Sequence, residues 1–198
     1  MGKIEIVGLG AGDLHQLPLG VYETIKNHSN LHLRTKEHPV VKELEKENIT
    51  FRSFDAWYEA EEEFEDVYQK ITEALLAEAE NADVLYAVPG HPMVAEDTVQ
   101  LLLKNEAGVE VNVLGGKSFL DDMFQAVAVD PIAGFQLVDG LSFSVDRIDL
   151  GGHLIIMQVF NDFVAGDVKW KSLEKYPAEH RAARVDGAGT SLQRVECV

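Results

Sequence analysis

The sequence predicts an α/β protein with two lobes and a cleft between them, in which a mostly parallel N-terminal sheet is followed by a mixed C-terminal sheet. Strand-like and helix-like segments alternate through residue 127, an order typical of parallel βαβ units. Beyond that point, short strand patterns separated by Gly and Asp turns predominate. We therefore divide the chain into an N-terminal lobe, residues 1–115, and a C-terminal lobe, residues 116–198.

The elements of the first part follow from apolar periodicity. Apolar or alternating runs between turn residues predict strands at 3–7, 31–34, 49–54, 83–88 and 109–114. Helical spacing predicts helices at 17–26, 39–47, 55–75, 95–104 and 119–127. The most regular pattern begins after Asp55, a suitable N-cap, and repeats apolar residues at steps of three and four as far as Leu75.

The second part has a different pattern. Short strands are predicted at 137–138, 141–145 and 153–160, separated by Gly and Asp turns. A late helix is predicted from about Phe163 to Lys175, because Pro177 cannot continue it. The tail to Val198 is expected to hold at most short strands.

Composition limits the classes of function. The net charge is −17, and residues 55–110 carry fifteen acidic and two basic residues, so the field repels polyphosphate and nucleic-acid binding is not expected. No window reaches the roughly 18 uncharged apolar residues of a membrane helix. The chain opens directly on a strand pattern, and its single cysteine, Cys197, leaves no internal disulfide. These features predict a cytoplasmic protein.

Three glycine-bearing turns each follow a predicted strand: GLGAGD at 8–13, PGHP at 89–92 and GGKS at 115–118. The carboxyl ends of parallel strands share one edge, where open α/β sheets bind ligands. A dinucleotide fingerprint is excluded, because its third glycine would stand at Asp13 and the strand LHLRT supplies no acid for a ribose. A tight turn without a ligand is the simpler alternative for any one of these motifs.

On these motifs the chain resembles the tetrapyrrole methylase family, S-adenosylmethionine-dependent methyltransferases built from two α/β lobes. GLGAGD is similar to the family's first GxGPGD-like turn, PGHPMVAE to its GDP-containing turn, and GGKSF to the turn that starts the second lobe. HLIIMQVF and FVAGDVKW…YPAEH also fit. LRTKEHPVVKEL and YAVPGHPMVAED further resemble the methylase half of bacterial fusions with a MazG-type nucleotide pyrophosphohydrolase.

The resemblance implies that S-adenosylmethionine lies folded in the cleft, held largely by backbone groups of these turns. Its cofactor-binding positions carry over to ten residues: Gly10, Ala11, Gly12, Gly90, His91, Val94, Ala95, Ser118, Phe119 and Met157. It also implies a homodimer. No general base is expected, because methyl transfer from a sulfonium mainly requires alignment of the reacting groups.

Two departures from the family pattern leave the function open. Ala11 replaces the family's Pro, and His91 stands where the family has Asp, which removes a negative charge near a cationic ligand. His91 could serve as a base, as a cofactor hydrogen-bond donor, or as a residue bonded across its own turn. The alternative to an active enzyme is therefore a non-catalytic regulatory domain that binds S-adenosylmethionine or a nucleotide for a fused MazG-type domain.

Other chemistry is not favoured. The remaining histidines lack ligand spacing on one helix face, so no metal site is predicted, and Ser118 lacks a nucleophile-elbow context. Acidic groups at 62–66 and 80–83 resemble the Mg²⁺ clusters of MazG-type enzymes, but they fall on a helix and at a strand start of an α/β lobe. Asp13 is expected to cap the first turn. The methyl acceptor is not specified, although Lys117, Arg147 and Lys169 could form a local basic patch.

Overall fold

The computed structural model describes residues 2–61, 63–149, 151–175, 182–185 and 192–195. It divides into two compact units, Met1–Asp121 and Asp122–Val198. The stretch YPAEH at 176–180 and Cys197 lie outside the described residues. Among the described residues, no helix is both long and apolar enough to span a membrane.

The N-terminal unit is built on a five-stranded sheet in which every pairing is parallel, as the sequence predicts. Its strands stand in the order β3-β2-β4-β1-β5. Their bounds are β1 Lys3–Gly8, β2 Leu31–Leu33, β3 Arg52–Ser53, β4 Val84–Val88 and β5 Glu110–Gly115. Strands β1 and β4 are central, and β4 (VLYAV) is buried at every position, which is characteristic of a strand covered on both faces.

Helices cover both faces of this sheet, because alternate strand residues enter two separate apolar cores. The helices of this unit are α1 Leu19–Asn27, α2 Val41–Lys46, α3 Asp55–Ala60, α4 Phe64–Ala79 and α5 Asp97–Leu103. A further helix, α6 Phe119–Val127, crosses the boundary between the two units at Asp121. Ile4 and Ile6 of β1 pack with α4 and α5, whereas Val7 packs with α1 and α2. The result is the three-layer arrangement typical of an α/β lobe.

The described part of the C-terminal unit contains two small sheets. Strands β6, Phe135–Asp139, and β7, His153–Met157, pair in parallel, while β8, Ala182–Val185, and β9, Leu192–Val195, pair antiparallel. Helix α7, Asp162–Leu173, packs Val164 and Val168 into a core with Phe143 and Ile148. The parallel and antiparallel pairs confirm a mixed second part with short strands in the tail.

The predicted helix over 55–75 is wrong in its continuity, because α3 ends at Ala60 and α4 begins at Phe64. Glu61 and Glu63 are extended, with φ of −107° and −111°. Acidic residues four apart would repel one another along an unbroken helix. The break instead places Glu65 and Asp66 in the first turn of α4, where the helix dipole stabilises negative charge.

Two further predictions are corrected by local side-chain bonds. The strand expected at 141–145 is a turn and a short 3₁₀ helix, because Asp139 accepts hydrogen bonds from the Leu141 amide and the Ser142 hydroxyl, each at 3.0 Å. The helix expected from Ala95 starts at Asp97 instead. Ala95 has φ of +53°, which no α-helix accepts.

Candidate functional site

The three glycine turns lie at one edge of the N-terminal sheet and are interlocked. They follow β1, β4 and β5, which are neighbours in the sheet and run in the same direction. Gly10 and Gly90 form an antiparallel bridge, in which the Gly10 amide donates to the Gly90 carbonyl at 3.1 Å and the Gly90 amide donates to the Gly10 carbonyl at 2.8 Å. Both glycines have positive φ, +70° and +66°, which side chains disfavour.

Gly8 is the point at which all three turns meet. A Cβ at Gly8 would lie 2.2 Å from the Gly90 oxygen and 2.8 Å from Cδ of Pro92. On its other side, a Cβ at Gly116 would lie 2.6 Å from Cα of Gly8. Gly10 in turn faces Lys117, whose Cβ would be 3.6 Å from an added Cβ. The close approach of the turns therefore requires glycine at both Gly8 and Gly116. The sequence places both residues in glycine-bearing turns but does not indicate that they are packed against each other.

The first turn is completed by Ala11, Gly12 and Asp13. Gly12 packs against Gln16, whose Oε1 would be 2.2 Å from an added Cβ. The Asp13 carboxylate accepts from the His15 amide at 3.0 Å and caps the 3₁₀ helix Leu14–Gln16, which confirms its predicted capping role. A carboxylate used in this way is engaged by the chain itself.

His91 bonds across its own turn, which is one of the roles that the sequence left open. Its Nδ1 accepts from the Met93 amide at 3.1 Å, and its carbonyl accepts from the Val94 amide at 2.9 Å. Because Nδ1 is an acceptor, a neutral His91 carries its proton on Nε2. That N–H is the group through which His91 could donate to a ligand.

The third turn leads into α6 through Ser118 and Phe119. The Ser118 Oγ accepts from the Leu120 amide at 3.2 Å, so the hydroxyl satisfies an amide of the first turn of α6. Phe119 is half-buried at the start of that helix. Met157 lies at the end of β7 in the C-terminal unit, paired with Asp139 across the strands. Its predicted place beside the cofactor stays a prediction.

The His38 side chain is hydrogen-bonded to the first turn. Its Nε2 lies 2.8 Å from the Gly10 oxygen, and its Nδ1 accepts from the Val40 amide at 3.3 Å. These two partners fix the tautomer, with the proton on Nε2. Burial lowers the pKa of His38, against the raising effect of its bond to Gly10, so the ring is neutral at physiological pH.

A partly buried ion pair stands next to the second turn, in which the Arg34 side chain is 28% exposed. Nη1 of Arg34 lies 2.8 Å from Oε1 of Glu96, whose side chain is only 6% exposed. Burial raises the pKa of Glu96 to about 7, and the adjacent Arg34 guanidinium, which stays protonated, limits that rise. The two residues are 62 positions apart, so no local spacing in the sequence pairs them.

The described acidic residues of the two groups that resemble MazG-type clusters lie near opposite ends of α4. Glu65 and Asp66 lie in the first turn of α4, while Asp83 follows its last turn and accepts from the Lys3 amide at 3.0 Å. A helix of 16 residues holds its ends about 24 Å apart. Across the described residues, no group of three or more His, Cys, Asp or Glu side chains is placed to hold a metal.

The family model described as Tetrapyrrole (Corrin/Porphyrin) Methylases matches residues 3–197 of this chain. The chain belongs to the tetrapyrrole methylase family. Membership indicates a methyltransferase, and members of this family use S-adenosylmethionine as methyl donor. At the second glycine turn, an added Cβ at Gly90 would meet nothing within 4 Å, so the backbone there is open to an approaching group.

Two known proteins are similar to this chain. The crystal structure of uroporphyrin-III-C-methyltransferase from Thermus thermophilus superposes with a TM-score of 0.68 over 98% of this chain and 83% of that one, at 24% identity, which shows the shared fold. The uncharacterized protein YabN of Bacillus subtilis is 45% identical over 199 residues. The chain spans 41% of the length of YabN.

Proposed function

We propose that this chain is a methyltransferase that binds S-adenosylmethionine against the three interlocked glycine turns. The observation that supports the proposal is the joining of the Gly8, Gly90 and Gly116 backbones at one edge of a parallel sheet, in a chain of the tetrapyrrole methylase family. Parallel α/β sheets bind ligands at this edge. The ten predicted positions from Gly10 to Met157 are proposed as the cofactor-binding residues.

The bound cofactor would supply an electrophilic methyl group, and the chain would contribute positioning. The turns are held by backbone bonds between Gly10 and Gly90 and by the His38 side chain, so their amides and carbonyls are fixed in place. Orientation of this kind can supply much of the rate of a displacement reaction. Nε2 of His91 is the proposed donor to the cofactor, since Nδ1 already accepts from Met93.

The acceptor is proposed to be neutral or to belong to another protein. Residues 55–110 of the N-terminal unit carry fifteen acidic and two basic residues. Such a field repels polycarboxylates and polyanionic RNA. A basic patch that included Lys117 would be needed for either of those acceptors.

The second candidate is a regulatory domain that binds S-adenosylmethionine or a nucleotide without transferring a methyl group. Two observations favour it: His91 replaces the family's Asp and is engaged within its own turn, and the relative YabN is much longer than this chain. In this proposal the longer protein includes a MazG-type pyrophosphohydrolase. A homodimer and a cytoplasmic location remain proposals under either function.

A pair of glycine variants tests the binding site. Gly90 and Gly108 both have positive φ, and neither has an atom within 4 Å of an added Cβ. Asn tolerates this backbone conformation, so Gly90→Asn and Gly108→Asn should fold with similar small losses of stability. Only Gly90→Asn places a side chain in the proposed site. We expect it to weaken binding of S-adenosylhomocysteine at least about tenfold by calorimetry, while Gly108→Asn binds as the wild type does.

The remaining outcomes separate the two functions. Equal affinity of both variants would show that the ligand does not lie against the second turn. If the wild type binds S-adenosylmethionine, transfer of a labelled methyl group to a panel of neutral and protein acceptors would identify an enzyme. Binding without transfer, together with a ligand-dependent change in a MazG-type activity of the full-length protein, would identify a regulator.

A further inference from the structure

The ion pair of the half-buried Arg34 and the buried Glu96 is directly attached to the loop of the second turn. Glu96 follows Val94 and Ala95 in the chain and is the last residue before α5. Arg34 stands one residue beyond β2, and its amide donates to the Ala87 carbonyl of β4 at 2.9 Å. The pair therefore joins the loop between β4 and α5 to the carboxyl ends of β2 and β4.

Arg34 is held in one orientation by several contacts. Its Nε donates to the Tyr58 hydroxyl at 3.1 Å, and its guanidinium carbon lies 5.6 Å from the centroid of the Tyr58 ring. Its Nη1 is then directed at Glu96 at 2.8 Å. Since the planar guanidinium fork leaves few alternative geometries, the position of Arg34 fixes the position of the Glu96 carboxylate.

The backbone between the turn and this carboxylate is strained. Ala95 has φ of +53°, a conformation that non-glycine residues adopt only when their surroundings impose it. On one side the Val94 amide donates to the His91 carbonyl at 2.9 Å, and on the other Glu96 is tied to Arg34. Ala95 is therefore held in a strained conformation between two fixed points.

A buried ion pair is a poor source of stability, because desolvation offsets the attraction between the charges. Such pairs can instead specify one arrangement of the backbone that carries them. We propose that Arg34 and Glu96 are positioning residues for the cofactor loop, residues 91–96, and that they set its affinity for the methyl donor through the backbone of Val94 and Ala95. This inference rests on the function proposed above.

A second ion pair in the same unit provides a matched control. Glu78 lies 2.9 Å from Nη1 of Arg52 and 3.1 Å from Nε2 of the buried His32. It is in the last turn of α4, which leads into the amino end of β4, whereas the glycine turns follow the carboxyl ends of the strands. Glu78→Gln therefore removes a partly buried carboxylate from an arginine pair without touching the cofactor loop.

The experiment compares Arg34→Met, Glu96→Gln and Glu78→Gln with the wild type in two measurements. The first is hydrogen exchange of the Val94 amide in the ligand-free protein, referred to the most protected core amides of β4. The second is the dissociation constant for S-adenosylhomocysteine by calorimetry. We expect Arg34→Met and Glu96→Gln to lower the relative protection of Val94 and to weaken binding, each at least about tenfold, while Glu78→Gln changes neither more than about twofold.

The proposal is overturned if the Arg34 and Glu96 variants keep the relative protection of Val94 and the wild-type affinity, whatever their global stability. That result would assign the pair a purely structural role like that of Glu78. If Arg34→Met does not fold, Arg34→Lys keeps the charge but loses the bond to Tyr58, and intermediate effects in both measurements are expected. Should the wild type bind no S-adenosylhomocysteine, the proposed function fails, and the exchange of Val94 still decides whether the pair orders the loop.

Discussion

Replacing Gly8 by Ala should break the junction of the three turns. The new Cβ would lie 2.2 Å from the Gly90 oxygen, where ordinary contact begins near 3.4 Å, so that oxygen must move by about 1 Å. Gly8 does not have a positive φ, so the destabilisation by an added Cβ comes from this contact and its consequences and not from strain of the Gly8 backbone. Overpacking of this kind costs about 1–3 kcal/mol. Loss of the two Gly10–Gly90 hydrogen bonds adds about 1 kcal/mol each.

The expected loss in free energy of unfolding is therefore about 3–5 kcal/mol for Gly8→Ala. Urea unfolding measures it, and calorimetry with S-adenosylhomocysteine measures the accompanying loss of affinity. Gly20→Ala is the matched control, because an added Cβ at this position in α1 meets nothing within 4 Å. It should stabilise the protein by about 0.5–1 kcal/mol, as Ala does in helices. A Gly8→Ala protein with wild-type stability and affinity would refute the interlocked geometry.

Three further predictions concern buried polar groups. Burial raises the pKa of Glu96 to about 7, so protonated Glu96 favours the folded state. Its stabilising contribution is fully present below about pH 4.5, and the free energy of unfolding falls by up to about 3 kcal/mol as the pH rises to 7. Urea unfolding of Glu96→Gln across this range should show that this slope has disappeared, and an unchanged slope would contradict it. Burial lowers the pKa of His38, so its contribution is present above about pH 6.5 and lost as the pH falls. Titration by NMR should place the pKa of His38 below 6.5, and His38→Gln should reduce the loss of stability in acid. The Tyr86 hydroxyl is buried beside Thr98 and makes no hydrogen bond of normal geometry among the described residues, so Tyr86→Phe should raise the free energy of unfolding by about 1 kcal/mol in the same assay, and a loss would show that an interaction with Thr98 contributes to stability.

Much of the N-terminal sheet is predictable from the sequence because its signals are local. The run VLYAV is apolar at every position, and only a strand covered on both faces tolerates that pattern. The three glycine turns are likewise visible as strand ends, and the parallel order of β4, β1 and β5 places them at one edge. The alternation of strands and helices therefore carries the fold class with little help from tertiary contacts.

The parts that the sequence does not predict depend on contacts between distant residues or on competing local bonds. The pairing of Arg34 with Glu96 joins residues 62 positions apart, and the need for glycine at Gly8 arises only when the turn at Gly90 packs against it. The turn after Asp139 arises because its carboxylate competes for amides that a strand would have used. The roles of the proposed cofactor-binding residues, Met157 among them, stay predictions until a ligand is measured.

The bridge between Gly10 and Gly90 has a consequence for the thermodynamics of ligand association. Two reciprocal hydrogen bonds join the first and second turns in the absence of a ligand. Because this recognition surface is already ordered, association of a ligand immobilises few additional backbone torsions. The heat-capacity change of association should accordingly report only the apolar area covered by the ligand, with no contribution from coupled folding of the turns.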